Sequence, residues 1–312
     1  MAGEFPSPLL FWQFDRRMEE AMNTVWSDYV QGINTLYLSR KNRFDEVFFD
    51  SFLKLFRLDA DREFTILEIG CGPGALCEAL RRAYPKTHIC GIDRDSAFID
   101  YAQKHISGAN FMEGDATQLP FGDESFDVTI SNTVSEHVEP TAFFGEQRRV
   151  LKKGGVCLVL SARKGIRVQA PCLTNDEAEE AFWRKAAELD DSFEKYAVCR
   201  YPMNESELPR AMEKYGFCDV HTGYAVSDLT PDDPKYSRPF ALQMLETLRQ
   251  DELDALFGAQ RTLGEHFTKD EYAAIEKRIN EKHDLRKKLF DQGQKQWDTA
   301  VSLTMVVRGI RP

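Results

Sequence analysis

Three glycines stand close together where an apolar run gives way to a helical pattern. The stretch reads LEIGCGPG over residues 67–74, and its glycines are Gly70, Gly72 and Gly74. Glycines at such a turn let the backbone approach a ligand closely, and the unpaired N–H groups that open a helix can bind its polar groups. With Ala75, the spacing also satisfies the dinucleotide pattern G-x-G-x-x-[GA]. The loop therefore predicts a cofactor site, and its spacing alone does not say which cofactor.

Acidic side chains accompany this loop. Asp93 ends the next apolar run, where a carboxylate can accept hydrogen bonds from both hydroxyls of a ribose. Asp115 follows the third apolar run in a Gly-Asp-Ala turn. Glu68 stands two positions before the first glycine, a third glycine follows a proline, and about 60 residues precede the motif. These last three features favour an adenosine cofactor other than a nicotinamide dinucleotide, although Asp93 and Asp115 could also be a capping acid and a turn residue.

Two further residues are candidates for proton transfer. Glu136 and His137 follow the fourth apolar run, just before Pro140. An imidazole can accept a proton near neutral pH, so His137 could be a general base or a substrate contact. The alternative is that the pair only caps or docks the helix that begins at Pro140.

Strands and helices that alternate along residues 61–162 would position these side chains. Such alternation predicts parallel strands joined by helices on both faces of a sheet. We therefore expect an α/β fold with a Rossmann-like, seven-stranded, mostly parallel sheet, helices on both faces and additional helical lid segments. The predicted strands are 64–69, 87–92, 109–112, 126–131, 156–160, 217–226 and 300–308.

Helical patterns flank and interrupt this sheet. Residues 1–60 predict an N-terminal helical cap, and residues 61–162, completed by 204–226 and 298–312, predict the core. Residues 163–203 and 227–297 predict helical insertions that form a lid over the substrate site. Within these insertions, two sequences fit the capping box that opens a helix, and they begin at Thr174 and Thr268.

The composition narrows the class of protein. The formal net charge of −11 argues against a broad nucleic-acid surface, which needs lysine and arginine to displace phosphate counterions. No apolar run is long enough to cross a membrane, and the first residues lack the pattern of a signal peptide. Seven cysteines without paired spacing fit reduced thiols. We expect a cytoplasmic protein without a disulfide framework or a resident metal.

Five motifs together resemble the class I S-adenosylmethionine (SAM)-dependent methyltransferases, near the enzymes of ubiquinone and menaquinone biosynthesis. They are LEIGCGPG (67–74), GID (91–93), EGDATQLPF (113–121), FDVTISNTVSEHV (126–138) and RRVLKKGG (148–155). The resemblance implies that the glycine loop holds the methionine part of SAM and that Asp93 holds the ribose. It also places Asp115 at the adenine amine, beside the Ala116 backbone. The other positions that it implies for the cofactor are Glu68, Gly70, Cys71, Gly72, Gly74 and Arg94, with Ser131 and Asn132 under the sulfonium.

The N-terminal helices could complete the cofactor site. In many related enzymes such helices close over SAM, which implies contacts from Tyr29, Tyr37 and Arg40, with Arg43 nearby. A cation there could pair with the carboxylate of SAM. The alternative is that these are solvated surface residues.

Absent motifs restrict the methyl acceptor. The Asn/Asp-Pro-Pro-Tyr/Phe pattern of amino methylation on bases and amides is missing, and no Pro-Cys pair follows the fourth strand. The resemblance therefore implies methyl transfer to a small molecule at O, N, S or C, with S-adenosylhomocysteine (SAH) as product.

Three alternative functions stay open: a SAM-binding regulator without catalysis, a nicotinamide-dependent oxidoreductase, and a methyltransferase with a thiophilic acceptor. The oligomeric state is not predicted.

Overall fold

A computed structural model describes residues 26–189 and 198–312. Residues 1–25 of the predicted N-terminal helical cap and residues 190–197 of the predicted insertion 163–203 lie outside these residues. The helices are α1 Trp26–Tyr29, α2 Ile33–Arg43, α3 Glu46–Phe56, α4 Ala75–Ala83, α5 Ser96–His105, α6 Pro140–Val150, α7 Glu177–Leu189, α8 Glu207–Lys214, α9 Arg238–Leu263 and α10 Lys269–Asp291. The strands are β1 Thr65–Ile69, β2 His88–Asp93, β3 Asn110–Glu113, β4 Phe126–Asn132, β5 Leu151–Ala170, β6 Cys218–Leu229 and β7 Thr299–Ile310.

One sheet of seven strands organises the fold, in the order β3-β2-β1-β4-β5-β7-β6. Strands β1 to β5 pair in parallel, whereas β7 is antiparallel to both of its neighbours. The predicted α/β fold with a mostly parallel, seven-stranded sheet is confirmed. The chain order reverses between β1 and β4, and in open α/β sheets ligands bind beyond the carboxyl ends of the strands at such a point.

Helices cover both faces of the sheet, which explains the continuous apolar runs of its central strands. On one face, Ile66 and Ile130 pack with Phe49, Phe52 and Phe56 of α3 and with apolar residues of α4 and α5. On the other face, Leu67 and Val159 pack with Phe143 and Phe144 of α6 and with apolar residues of α8. The central strands β1 and β4 are therefore buried on both sides, and only their ends are available for a site.

Strand β5 is longer than the sequence predicts. The prediction ended it at Leu160 and expected a helical insertion from residue 163, but the strand continues to Ala170 and pairs with the beginning of β7. The register of β5 shifts in its pairing with β4, between Phe126 and Val128, and in its pairing with β7, between Ala162 and Arg167. Regular pairing of the strand is therefore interrupted at two places. Such bulges break the alternation of apolar and polar residues on which a sequence-based strand prediction depends.

Helix α2 joins the outer helices to the sheet. The buried Asn42 side chain donates to Thr247 Oγ1 at 2.8 Å and accepts from Gln243 Nε2 at 2.6 Å, both on α9. At the other end of α2, Asp254 of α9 lies against Gly32, where a Cβ would meet its carboxylate at 2.5 Å. Helices α7, α9 and α10 pack around a separate apolar cluster. Movement of α9 would therefore be transmitted to α2.

The helix caps agree in part with the predicted capping boxes. Thr268 and Glu271 form a complete capping box at the start of α10, as predicted. The box expected at Thr174 is wrong, because α7 begins at Glu177 and the carboxylate of Asp176 accepts the N–H of Glu179 at 2.9 Å. Asp is as good an N-cap as Thr, so sequence alone could not decide between them.

Candidate functional site

A cavity of about 680 Å³ opens at the carboxyl ends of the parallel strands. Its walls come from the turns after β1, β2, β3 and β4, from helix α2 and from the segment 198–201. The predicted site residues that line it are Arg40, Glu68, Gly70, Cys71, Gly72, Asp93, Arg94, Asp115, Ala116, Asn132, Glu136 and His137. Twelve of the predicted positions therefore meet in one cavity, although they are spread over about 100 residues of sequence.

The glycine loop has a backbone that other residues would strain. Gly70, Gly72 and Gly74 all have positive φ, at 68°, 52° and 87°. A Cβ on Gly70 would lie 2.4 Å from a methyl carbon of Val134, which belongs to the loop after β4. The glycines are thus required both by the left-handed backbone and by the close approach of a neighbouring loop.

Backbone hydrogen bonds hold the glycine loop against β2. The N–H groups of Gly70 and Cys71 donate to the carbonyl of Ile92 at 2.8 and 3.0 Å. The N–H of Gly72 donates to Asp93 Oδ2 at 2.8 Å. The loop and the acid at the end of β2 therefore form one rigid corner.

Asp93 lies in this corner with both carboxylate oxygens in use. Its Oδ1 accepts the N–H of Asp95 at 3.0 Å, in addition to the bond from Gly72. Burial raises the pKa of Asp93, and the two N–H donors oppose that shift because they favour the carboxylate. Each carboxylate oxygen has a further lone pair with which it can accept from a ligand hydroxyl.

Glu68 is a buried acid at the end of β1. Only 2% of its surface is exposed, and its Oε2 has no hydrogen-bond partner among the described residues. Burial raises the pKa of Glu68 to about 8, and the nearby Asp93 contributes in the same direction. A buried carboxyl that lines a cavity and has one oxygen without a partner is suited to a cationic ligand, which would restore its charge.

The end of β4 offers unpaired polar atoms. Ser131 Oγ and Asn132 Oδ1 are buried and lack hydrogen-bond partners within 26–189 and 198–312.

The turn after β4 has a strained backbone. Thr133 has φ 55°, an uncommon value for a β-branched residue. Its hydroxyl accepts from Arg40 Nη2 at 2.8 Å, so α2 braces this strained turn. Burial lowers the pKa of Arg40, and the nearby Glu136 opposes that shift.

The turn after β3 forms the outer rim of the cavity. Asp115 is exposed, and its Oδ1 accepts from the N–H and the hydroxyl of Thr117 at 2.7 and 2.8 Å. Ala116 lies beside it, and the exposed Arg94 lies across the opening. The backbone of this turn is fixed by the Asp115 side chain.

Glu136 and His137 face a segment that comes from far along the chain. His137 Nδ1 accepts the N–H of Cys199 at 2.9 Å, and the carbonyl of Glu136 accepts the N–H of Tyr201 at 2.8 Å. The Glu136 carboxylate accepts the hydroxyl of Ser135 at 3.3 Å. The pair therefore docks the segment 198–201 at the cavity, and not only the helix that follows it.

Helix α1 covers the cavity from the N-terminal side. Asp95 accepts the N–H of Ser27 at 2.7 Å and its hydroxyl at 3.2 Å, both in buried positions. The Trp26 ring contacts the His137 ring edge-on, with centroids 4.8 Å apart. Asp95 also caps α5 and donates its N–H to Asp93, so α1 is fixed to the same corner as the glycine loop.

Four of the expected residues do not line the cavity. Tyr37 donates to Glu78 Oε2 at 2.8 Å, which directs it toward α4, and Tyr29 is exposed. Gly74 caps α4, and Ser131 is fully buried in β4. The lining residues that the sequence did not reveal include Trp26, Leu36, Phe44, Thr133 and the segment 198–201. The segment 198–201 had no local signal, because its position depends on contacts with residues more than 60 positions away.

Neither a metal site nor a membrane span is found in the described part of the chain. No group of three or more histidine, cysteine, aspartate or glutamate side chains is arranged there to hold a metal ion. None of the described helices is both long and apolar enough to cross a bilayer.

Residues 67–159 match the family described as "Methyltransferase domain". The chain is 37% identical over 102 residues to the fatty-acid O-methyltransferase of Mycolicibacterium smegmatis, which is 31% of this chain and 37% of that protein. It is 33% identical over 96 residues to the demethylmenaquinone methyltransferase of Thermotoga maritima, or 30% of this chain and 42% of that protein. A solved structure, that of phosphoethanolamine N-methyltransferase 2 of Haemonchus contortus in complex with SAM, is similar to this chain with a TM-score of 0.49. The two sequences are 17% identical, and the similarity covers 92% of this chain and 59% of that one.

The family match falls on the part of the chain that carries the glycine loop and runs from β1 to β5. The chain spans about two fifths of the length of the curated relatives that it matches. The matched stretch contains the corner formed by Gly70, Gly72 and Asp93 and the turn after β4. The part of the chain that forms this corner is therefore the part that matches a methyltransferase domain.

Proposed function

We propose that this protein binds SAM in the 680 Å³ cavity and transfers its methyl group to a small molecule. The observation that carries the proposal is the corner at the ends of β1 and β2. There the glycine loop, the buried Glu68 and the hydrogen-bonded Asp93 face one cavity. The acceptor would enter beside them, between α1 and the segment 198–201.

The residues present fit SAM part by part. The left-handed glycine loop leaves room where a Cβ would fill the space, and it would lie along the methionine part. Asp93 would accept the ribose hydroxyls, and the turn with Asp115 and Ala116 would hold the adenine. Glu68 Oε2 and Asn132 Oδ1, which have no hydrogen-bond partner among the described residues, would face the positively charged part of the cofactor.

The chain would contribute mainly placement and exclusion of water. Bound SAM supplies a methyl group on a positive sulfur with a good leaving group, so the protein need not generate a reactive species. Helix α1 and the segment 198–201 both line the cavity, and they would keep water from the acceptor. Glu136 and His137 line the acceptor side and would orient the acceptor there.

The acceptor would be a small molecule, and its methylated atom is left open. The cavity has apolar and aromatic lining from Trp26, Val138, Val198 and Tyr201 beside charged groups, which fits an amphipathic molecule. Two relatives are described as acting on a fatty acid and on demethylmenaquinone. We therefore expect an acceptor with a long apolar part.

The net charge of −11 disfavours binding to a nucleic acid. We expect the protein to act in the cytoplasm.

The proposed activity can be tested with methyl-labelled SAM. The protein is incubated with labelled SAM and, in parallel reactions, with long-chain fatty acids and reduced demethylated quinones. Label is expected to move to an extractable product in at least one reaction, with SAH formed in equal amount. If SAM binds but neither label transfer nor SAH formation follows, a SAM-binding protein without this activity is the better description.

Glu68 predicts that SAM binding depends on pH. Burial raises the pKa of Glu68 to about 8 in the free protein, and cationic SAM would lower it because the carboxylate is then favoured. Binding would release a proton below pH 8, so SAM affinity is expected to rise with pH toward about 8 and then level off. Calorimetry at several pH values should show this slope, and Glu68→Gln should flatten it. An equal slope in that variant would contradict the assignment.

A further inference from the structure

Two arginines on neighbouring turns of α2 offer more hydrogen-bond donors than the chain uses. Arg40 lines the cavity, and its guanidinium donates one hydrogen bond within the described residues, from Nη2 to Thr133 Oγ1 at 2.8 Å. Arg43 lies three positions further along the helix, and its Nη1 is buried without a hydrogen-bond partner in that part of the chain. A guanidinium has five N–H donors and keeps its charge in proteins. Residues three apart on a helix are neighbours, so spare donors lie at the cavity wall and beside it.

The charge of these two arginines is only partly compensated by the chain. Within residues 26–189 and 198–312, neither guanidinium forms an ion pair with a carboxylate. Burial lowers the pKa of Arg40, and Glu136, Asp251 and Glu68 oppose that shift from beyond ion-pair distance. Burial also lowers the pKa of Arg43, Arg40 contributes in the same direction, and Glu136 opposes both. A cation that leaves water without a partner costs free energy, so an anion beside Arg40 would be stabilised.

The course of α2 separates these arginines from the glycine loop. Leu36, one turn before Arg40, lies against that loop, where a Cβ on Gly72 would meet its Cδ2 at 3.3 Å. Arg40 instead contacts Thr133 in the turn after β4, and Glu136 of the same turn also lines the cavity. The methionine part of SAM would lie along the glycine loop, beneath Leu36. Arg40 is therefore placed on the acceptor side of the cavity.

We propose that Arg40 determines the specificity for the methyl acceptor by binding a carboxylate of that molecule. The inference rests on the proposed function, since it concerns the acceptor side of the same cavity. A guanidinium presents two parallel N–H groups that match the two oxygens of a carboxylate, and such charge-assisted bonds are stronger than neutral ones. Arg43 adds a second positive charge one helix turn away. The acceptor class is an amphipathic carboxylate whose apolar part contacts lining residues such as Trp26 and Val138.

A carboxylate fits this position better than a phosphate group. Glu136 and Glu139 also line the cavity, and they would repel a second negative charge. A phosphate monoester carries close to two negative charges near neutral pH. One guanidinium and one carboxylate neutralise each other, whereas a phosphate would keep an excess negative charge beside these acids.

The preference is measured with probes of equal chain length on the full-length protein saturated with SAH. Octanoate, octanol and octyl phosphate are titrated by calorimetry, each below the concentration at which it aggregates. Octanoate is expected to bind about tenfold or more tightly than octanol, because only octanoate makes charge-assisted hydrogen bonds with Arg40. Equal affinity for octanoate and octanol, or tighter binding of octyl phosphate than of octanoate, would overturn the inference.

Variants of Arg40 assign this preference to its guanidinium. Arg40→Gln is expected to bring the affinity for octanoate down to that for octanol and to leave SAH affinity unchanged. Arg40→Lys keeps the charge and loses the planar fork, so its affinity for octanoate should lie between those of the other two proteins. Arg62→Gln is the matched control, because Arg62 is an exposed arginine ahead of β1, at the opposite end of that strand from the cavity.

The outcomes for SAH and for octanoate separate the two proposals. Failure of the unmodified protein to bind SAH would count against the proposed function. Binding of SAH without a preference for octanoate would contradict only the role of Arg40. If Arg40→Gln weakens SAH binding and keeps the preference for octanoate, Arg40 belongs to the cofactor and the inference is wrong. The comparison of probes on the unmodified protein does not depend on the folding of any variant.

Discussion

Asp93→Ala is expected to weaken SAM binding by about 1.5–3 kcal/mol, the range for hydrogen bonds to a charged group. This corresponds to a loss of about 10- to 100-fold in affinity. The carboxylate would hold the ribose, and it also accepts the N–H groups of Gly72 and Asp95, so its removal would loosen the glycine loop as well. Titration calorimetry with SAM and SAH measures the effect.

Two controls separate binding from stability in this test. Asp93→Asn keeps one carbonyl oxygen as an acceptor and is expected to lose less affinity than the alanine variant. Asp100 is an exposed acid on the neighbouring helix α5, and Asp100→Ala should bind SAM as the unmodified chain does. The free energy of unfolding of each variant is measured in parallel. A folded Asp93→Ala protein with unchanged SAM affinity would show that the ribose is held elsewhere.

Removal of α1 is the second change for which we expect a large effect. A chain that begins at residue 32 should bind SAM about tenfold or more weakly than a chain that begins at residue 26. The reason is that Trp26 covers the cavity and Ser27 is bonded to Asp95, beside the ribose position. Tenfold corresponds to about 1.4 kcal/mol, which is within the range for burying one large apolar side chain.

The comparison of these two chains isolates the described residues 26–31. Hydrogen exchange provides a second measurement, since amides of α1 and α2 should exchange more slowly when SAH is added. Ser27→Ala is the matched point variant, because it removes the bond from the hydroxyl and keeps the backbone bond to Asp95. Equal affinity of the two truncated chains would show that α1 is not a cover for the cofactor.

Much of the sheet could be predicted because its signals are local. The apolar runs that become β1, β2 and β4 are buried on both faces, and glycine, proline and acidic residues mark their ends. The predicted bounds of these strands differ from the observed ones by one residue. Strand β5 was underestimated by several residues at both ends, because bulged pairing with β4 and β7 hides its alternation.

The cofactor side of the cavity was predictable for the same reason. Gly70, Gly72 and Asp93 lie in short motifs whose spacing reflects one strand–loop–helix unit. The acceptor side was not predictable, because Trp26 and Cys199, which contact His137, are both distant from it in the sequence. Tyr37 shows that residue type and helical position do not fix a contact. It was expected at the cofactor, but its hydroxyl donates a hydrogen bond to Glu78 on α4.

The most direct test of the central claim is a calorimetric titration of the full chain with SAM, SAH and NAD. The claim is that the corner of Glu68, the glycine loop and Asp93 binds an adenosine cofactor with a cationic methionine part. We expect heat from SAM and SAH with dissociation constants in the micromolar range, and no competition when NAD is present at a large excess. Binding of NAD without any binding of SAM would contradict the account.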